Sequence, residues 1–590
     1  MNRSLRHLAV AAAVLCAAVP ALSAQTYPRG GDPRDGLRPG LGEAGVAIAG
    51  MRLLSTAPKA APFDTARGLT FVNSDLAFRG NYVYQGNFAG FSIWDVSNPA
   101  SPTMVTAIPC ITSQGDPSIV GNLLFLSAEG GGNRNDCAKG GVQDPKDHMA
   151  GVRIYDVSNP RAPRLVKNVQ TCKGSHTHTV IPHPTDRGVV YIYVSGSGGA
   201  REAMAGCVEG TDPADEKNSL YRLDVIRVPL ANPEQAEVVT GARIFTGIGP
   251  RPRRGSQAAP PANAPPQAGP RNCHDVSAYP AMGLLAGACS SYGLLVDISN
   301  PERPVRLDAV ADTNFSLWHT AIFSNDGKKV VFTDEWGGGT GPMCQATSQM
   351  EMGGNTVLTI GDDKKMTQHS YYKIATGQAA NENCVSHNGS LIPVPGRDIM
   401  VQGWYQGGVN ITDFTDPKRV FEIGYFDRGP IDAPPAAGDT SRAARSRTTI
   451  GGSWGAYWYN GRIYSSEMAR GLDILELVPS AQLSANEIAA AKLVTMAEFN
   501  PQSQPQITWP AAFPVVRSYL DQLVRGNGLA AARTTAIDQA LTAAERQSGA
   551  ARATALNALA GQVDRDVAGA ADAARVRAMA AEIRRLAAAR

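Results

Sequence analysis

Between about residue 50 and residue 478 the chain is a succession of short runs in which hydrophobic and polar residues alternate, each ending in Gly, Asn, Asp or Pro. A period of two sends successive side chains to opposite faces, so these runs predict half-buried β-strands. The runs also repeat. GFSIWDVSNPASPTMV from Gly90, GVRIYDVSNPRAPRLV from Gly151, YGLLVDISNPERPVRL from Tyr292 and GGVNITDFTDPKRVFEIG from Gly407 are copies of one unit. Each opens at or beside a Gly, alternates to an Asp, breaks at Asn-Pro or Asp-Pro and resumes as another strand. In such a break the Asp or Asn side chain bonds its own backbone and Pro presets φ, so Asp95, Asp156, Asp297 and Asp413 are expected to be structural.

Two further strands joined by a tight turn precede each copy, as in DLAFRGNYVYQGN from Asp75, DPSIVGNLLFLSAE from Asp116 and HTAIFSNDGKKVVFTDE from His319. Four short strands per unit is the pattern of a propeller blade. Inner strands are expected to start near Ser74, Gly115, His178, His274, His319, His387 and Trp454, which predicts an all-β, seven-bladed β-propeller over residues 49–478. The third and fifth units lose the repeat after their second strand. The last unit, from Trp454, supplies three strands, and Met51-Arg52-Leu53-Leu54 resembles the fourth strand at Thr103-Met104-Val105. That segment is expected to close the ring, since closure removes edges that would pair with other molecules.

After Leu477 the period changes. Ser484-Ala485-Asn486-Glu487 is a capping-box pattern opening a short helix within a linker at 479–512. From Phe513, apolar residues at helical spacing predict three or four helices, broken at Gly526-Asn527-Gly528 and Ser548-Gly549. Residues 513–590 therefore read as a small C-terminal α-helical tail domain whose apolar stripe is core. Residues 25–48 are aperiodic and read as a flexible lead-in; Gly249–Asn272 and Gly429–Arg447 read as Pro/Ala-rich loops.

Composition adds a compartment. Arg3 and Arg6 precede an apolar run from Leu8 to Val19 and the small-residue stretch Ala21-Leu22-Ser23-Ala24, an export signal expected to be cleaved after Ala24. The protein is thus expected to be extracytoplasmic, periplasmic or secreted, with no transmembrane segment after signal removal. Without Cys16, eight of the nine cysteines remain, an even number in an exported chain. Their long, irregular spacings disfavour a zinc cluster; of the 105 pairings that eight cysteines allow, the one joining sequence neighbours is taken as the expectation: Cys110–Cys137, Cys172–Cys207, Cys273–Cys289 and Cys344–Cys384. From Phe513 onward there are 11 Arg against seven acidic residues, which leaves 44 basic and 45 acidic residues in the body. A balanced body excludes the basic stripe of a nucleic-acid binder.

The blades resemble LVIVD-repeat proteins, a group of exported propellers named for the strand before the turn; Leu294-Leu295-Val296-Asp297 is the nearest match. The resemblance spans roughly residues 50–478. It implies a seven-bladed propeller and carries little about activity.

The candidate chemistry is a column of histidines. His178, His274, His319 and His387 each stand at the start of an inner strand in successive units, with His176 and His183 as alternatives in the third. Inner strands line the central channel, so equivalent positions converge on the axis, where four imidazoles suit one transition metal ion such as Fe, Cu or Zn. Glu129, Glu335 and Glu467 close second strands and are candidate acid–base groups or orienting partners for metal-bound imidazoles. In architecture the pattern is similar to carotenoid-cleaving oxygenases, propellers whose four axial histidines hold iron with glutamates behind them, and to selenium-binding and methanethiol-oxidase-type propellers. The same positions also suit hydrogen bonds between strands. No Gly-x-Ser-x-Gly elbow, phosphate loop, His-Glu-x-x-His or dinucleotide fingerprint is present.

Two functions are therefore open. One is a binding or scaffold module for a protein or glycan partner, presenting the insertions Gly130–Ala150, Gly196–Asn218 and Gly337–Asn355. The other is a metal-dependent oxidoreductase or lyase using the axial histidines.

Overall fold

A computed structural model describes residues 31–64, 72–138, 140–142, 144–250, 252, 269–374, 376–431 and 450–589. The expected signal, its cleavage site and most of the two Pro/Ala-rich loops lie outside the described residues.

Strands β1 (Val46–Ala49) and β2 (Met51–Pro58) come first. Then follow antiparallel meanders of four strands. The first is β3 (Asn73–Arg79), β4 (Tyr82–Asn87), β5 (Gly90–Asp95) and β6 (Thr103–Pro109). The second is β7 (Pro117–Val120), β8 (Leu123–Ala128), β9 (Gly151–Asp156) and β10 (Arg164–Gln170). The third comprises β11 (Thr177–Pro182), β12 (Val189–Ser195), β13 (Leu223–Pro229) and β14 (Glu237–Ala242). In the fourth are β15 (Val276–Tyr279), β16 (Leu284–Cys289), β17 (Tyr292–Asp297) and β18 (Val305–Ala311). The fifth holds β19 (Trp318–Phe323), β20 (Lys329–Asp334), β21 (Asn355–Ile360) and β22 (Met366–Tyr372). Next are β23 (Asn388–Ile392), β24 (Ile399–Gly403), β25 (Val409–Asp413) and β26 (Phe421–Arg428), with β1 on their outer edge. Last come β27 (Ser453–Tyr459), β28 (Arg462–Glu467) and β29 (Gly471–Leu477), completed by β2, which pairs antiparallel with β29 from Met51↔Leu477 to Pro58↔Gly471.

First strands neighbour one another in the order β3, β7, β11, β15, β19, β23, β27 and back to β3. Buried apolar clusters fill the space between consecutive sheets, and one of them, with Phe78, Trp94, Tyr457 and Ile474, joins the last sheet to the first. The sheets are thus of the propeller-blade kind. The third and fifth units, which lose the repeat in sequence, still complete their four strands after the long insertions.

The repeat's turn residues do what their types require. Asp95, Asp156, Asp297 and Asp413 each accept, through Oδ1, the backbone N–H two residues on, at 2.8–2.9 Å. The glycine that opens a third strand is equally constrained: a Cβ on Gly90 or Gly151 would sit 2.0 Å from the carbonyl oxygen of Ile108 or Val169.

The lead-in is a correction. From residue 31 it is fastened to the sheet: Arg34 is buried, pairs with Glu422 at 2.7 Å and lies over the Tyr425 ring, and β1 pairs with β26. Aperiodicity reflects an irregular path, and the tertiary partners supply the order.

Because the meanders are antiparallel, the starts of first strands, the connections from second to third strands and the chain between sheets share one end of the channel, here the near end. All four expected disulfides form, Cys110–Cys137, Cys172–Cys207, Cys273–Cys289 and Cys344–Cys384, and every one lies at the near end. They tie down the insertions. The Asp-turns occupy the far end.

Beyond the sheets, Ser484 and Glu487 form the capping box of helix Ala485–Lys492. The tail consists of helices Phe513–Arg525, Ala531–Glu545, Gly549–Asp566 and Ala573–Ala588 around one apolar core. It docks on the propeller: Gln522 donates to the Pro395 carbonyl at 2.8 Å, and Glu487 takes both Arg525 and Arg397. No helix among the described residues is long and apolar enough to cross a membrane.

Candidate metal centre

Four imidazoles meet at the near end of the channel. They are His176, His274, His319 and His387, from consecutive sheets, with ring centroids 4.3, 4.0 and 4.0 Å apart in that order. The backbone sets the register: the N–H groups of His176, His274 and His387 donate to the carbonyls of Ser195, Ala288 and Gly403, all at the ends of second strands. In the third unit, therefore, the histidine equivalent to His274 and His387 is His176. His178 lies two residues deeper; its Nδ1 meets Ser127 Oγ at 2.8 Å, and its buried Nε2 has no partner. His183 sits past the far end of β11, accepts the N–H groups of Thr185 and Asp186, and stacks on Tyr191.

Three of the four rings are anchored through Nδ1, leaving Nε2 toward the axis. His176 Nδ1 bonds Glu129, His274 Nδ1 meets Asp275 Oδ1 at 3.0 Å, and His387 Nδ1 donates to the Trp454 carbonyl. A partner on Nδ1 fixes the tautomer with a lone pair on Nε2, the arrangement that metal-bound histidines use. Glu335 stands among them. Its Oε2 is 3.7 Å from His274 Nε2 and 3.8 Å from His319 Nε2, and its Oε1 is 3.7 Å from His387 Nε2. Ligand atoms of His274, His319 and Glu335 lie within 4.8 Å of one another. His176 Nε2 and His274 Nε2 are 2.7 Å apart, and two lone pairs cannot face each other at that distance without a proton or cation between or beside them.

The electrostatics follow from burial and partners. Burial opposes charge on His176, but the adjacent Glu129 carboxylate prevails and raises it to about 9. His319, buried beside other imidazoles, is pushed well below the usual histidine range. Burial takes His387 down to about 3, against the Trp454 carbonyl, and raises Glu335, against His274 and Tyr405. Neutral imidazoles, the form burial favours at His319 and His387, ligate metals directly, whereas the His176 imidazolium held by Glu129 has to give up its Nε2 proton to do so. Buried Nε2 of His387, on the Glu335 side of its ring, has no hydrogen-bond partner, an arrangement polar groups rarely keep.

The glutamates divide. Glu129 and Glu335 belong to the cluster. Glu467 instead accepts the N–H groups of Gly452 and Ala469 and pairs with Arg470 at 3.1 Å, within its own turn.

Alternation in the sequence did not reveal Tyr405, whose hydroxyl donates to Glu335 Oε1 at 2.6 Å and whose ring lies 4.6 Å from His387. Its φ of 52° is a left-handed conformation costly for a tyrosine. The Gly-rich context GWYQGG was the available signal. For His176, the signal was that Ser175-His176-Thr177 matches Ser386-His387-Asn388.

Comparisons with known proteins concern the scaffold. The LVIVD repeat family matches residues 73–108 and 147–171. No curated protein matches the chain. Among solved structures, hydrazine synthase from Kuenenia stuttgartiensis is similar at 11% identity and TM-score 0.41, over 70% of this chain and 98% of that one. The β-propeller domain of Cps50 (Swd1) from Myceliophteria thermophila matches at 8% identity and TM-score 0.38, over 72% of this chain and 100% of that one. Sqt1 from Saccharomyces cerevisiae matches at 8% and 0.38, over 70% and 98%. Such distant likenesses carry no activity to this chain.

Proposed function

We propose that this β-propeller module, marked by LVIVD repeats and four-stranded antiparallel sheets, is a seven-bladed, extracytoplasmic propeller whose axial imidazoles His176, His274, His319 and His387 bind one transition metal ion, Fe, Cu or Zn, with Glu335 beside it, and that it acts as a metal-dependent oxidoreductase or lyase. The observation carrying this is that Nε2 atoms of His274, His319 and His387 converge on the Glu335 carboxylate, with Nδ1 of His274 and His387 anchored by Asp275 and the Trp454 carbonyl and His176 Nε2 against His274 Nε2. The cyclic order of first strands supports the blade number, and four disulfides are compatible with an oxidising compartment.

A bound ion would supply Lewis-acid or redox chemistry. The chain's own residues then have separate tasks. Glu129 and Asp275 orient His176 and His274, and Tyr405 holds Glu335 Oε1 so that Oε2 faces His274 and His319. Elemental analysis of protein purified without chelator is the test: near-stoichiometric Fe, Cu or Zn is expected, and lost on His274→Ala and His319→Ala. A folded, metal-free protein would sink this reading. It would leave the second one, a binding module for a protein or glycan partner, favoured by the three insertions pinned by disulfides at a single end of the ring.

A further inference from the structure

The far end of the channel is covered by a segment of the chain's own C-terminal linker. β30 (Glu498–Phe499) pairs with β3 at Arg79 and Phe78. Asn500 exchanges hydrogen bonds with the Ile119 backbone, Gln504 N–H donates to the Ala278 carbonyl at 2.8 Å, and the Gln504 side chain bonds both backbone groups of Phe323 at 3.1 Å. Ile507 meets Asn325, and Trp509 Nε1 donates to the Pro393 carbonyl at 2.8 Å. This strap thus crosses β3, β7, β15, β19 and the exit of β23.

From its middle one side chain enters the channel. Gln502 is only 8% exposed, and its Nε2 lies 3.2 Å from Asp275 Oδ2 and 3.4 Å from Asp75 Oδ2. Asp275 uses its other oxygen to hold His274 Nδ1. The chain of contact therefore runs from the strap through Gln502 and Asp275 to His274, from the covered end of the channel to the histidines at the other. Asp75 is engaged on both sides, by Tyr457 through Oδ1 and by Asn388 through Oδ2 at 3.1 Å.

We infer that Gln502 is a positioning residue of the metal centre, a role that rests on the metal-binding reading above: its amide N–H group fixes the Asp275 carboxylate so that Asp275 sets the ring plane and tautomer of His274. A carboxylate with two oxygens can rotate about its own bond. Tying Oδ2 to a donor on a segment itself pinned at five places removes that freedom, and outer partners of this kind typically carry about 10–100-fold in metal affinity. The strap thereby gives the linker between ring and tail a task at the site, with no ligand of its own.

The test uses the full-length protein, loaded with its own metal or with Co(II), and compares Gln502→Met with Gln504→Met. Met keeps the length and packing of Gln and removes its amide. Gln504 is a matched control, because it fastens the same strap and its side chain hydrogen-bonds the backbone of Phe323 rather than Asp275. In Gln502→Met, loss of metal to a competing chelator should be about 10-fold easier and the Co(II) absorption bands should shift; Gln504→Met should match wild type in both. Equal behaviour of Gln502→Met and wild type would overturn the inference, as would equal loosening by both variants, which would trace the effect to strap docking. The His274 Nδ1–H resonance provides a readout that needs no ion: it should move in metal-free Gln502→Met, and an unmoved signal overturns the role. Wild-type protein that takes up no metal, with a normal His274 signal that responds to Gln502→Met, would instead break the metal reading while leaving the Gln502–Asp275–His274 linkage in place.

Discussion

The two halves of the ring share one scaffold and differ in what they place on the axis. The sheets beginning with β11, β15, β19 and β23 contribute His176, His274, His319 and His387. The sheets beginning with β27, β3 and β7 contribute Trp454, Ser74, Asp75 and Asp116 in the same region. Glu335 and Glu467 make the comparison sharper, since both follow or end a second strand. One stands among three imidazoles, and the other is bound into its turn by Arg470. A repeat thus supplies equivalent positions, and departures from the repeat decide which of them hold imidazoles.

The strongest way to break the contrast is to exchange a member of each half. His387→Ala should lower metal affinity by more than the roughly 100-fold that outer partners reach, whereas Ser74→Ala should leave it unchanged; titration with a chromophoric chelator reads both. Equal losses would remove the asymmetry.

Glu129→Gln is expected to act through His176, costing about 10–100-fold in affinity. It should also alter the pH dependence of the metal-free protein. His176 is raised in the folded state to about 9, so the stabilisation from its pairing with Glu129 is fully present below about 6.5, the ordinary histidine value, and lost as pH rises through about 9. On the order of 2–3 kcal/mol of unfolding free energy should disappear over that window in wild type. Urea unfolding at pH 6 and pH 9.5 measures it, and the Gln variant should lack this component.

The smallest effect at the site is expected from Glu467→Gln. It should lower the melting temperature by a few degrees, roughly 1 kcal/mol, because a buried acceptor beside Arg470 is weakened. Metal content should equal wild type. A large loss of metal would mean that the glutamates of the two halves are equivalent after all.

Much of the fold was legible because its causes are local. The Asp-x-Ser-Asn-Pro breaks, the opening glycines and the capping box at Ser484 each act within a few residues, and the structure places them as their types demand. Sequence-neighbour cysteines found each other because three pairs join the chain between two sheets to the nearest insertion at the same end of the ring, and the fourth joins the approach to β15 to the end of β16. His274, His319 and His387 were readable as a column for the same reason. Choosing between His176 and His178 was not, since a shift of two residues leaves the face of a strand unchanged and alternation is blind to it.

By itself, then, the sequence determined where strands begin and turn, where helices take over, that eight cysteines are available to pair and that histidines recur at the starts of inner strands. Only the tertiary structure decided that His176 joins them, that Glu467 stays in its turn, that Val46–Ala49 edges a sheet, that Tyr405 reaches Glu335 and that Gln502 reaches Asp275. The physical reason is distance along the chain. Gln502 and Asp275 are 227 residues apart and Tyr405 and Glu335 are 70 apart, and contacts of that kind depend on how the ring closes, which no local pattern encodes.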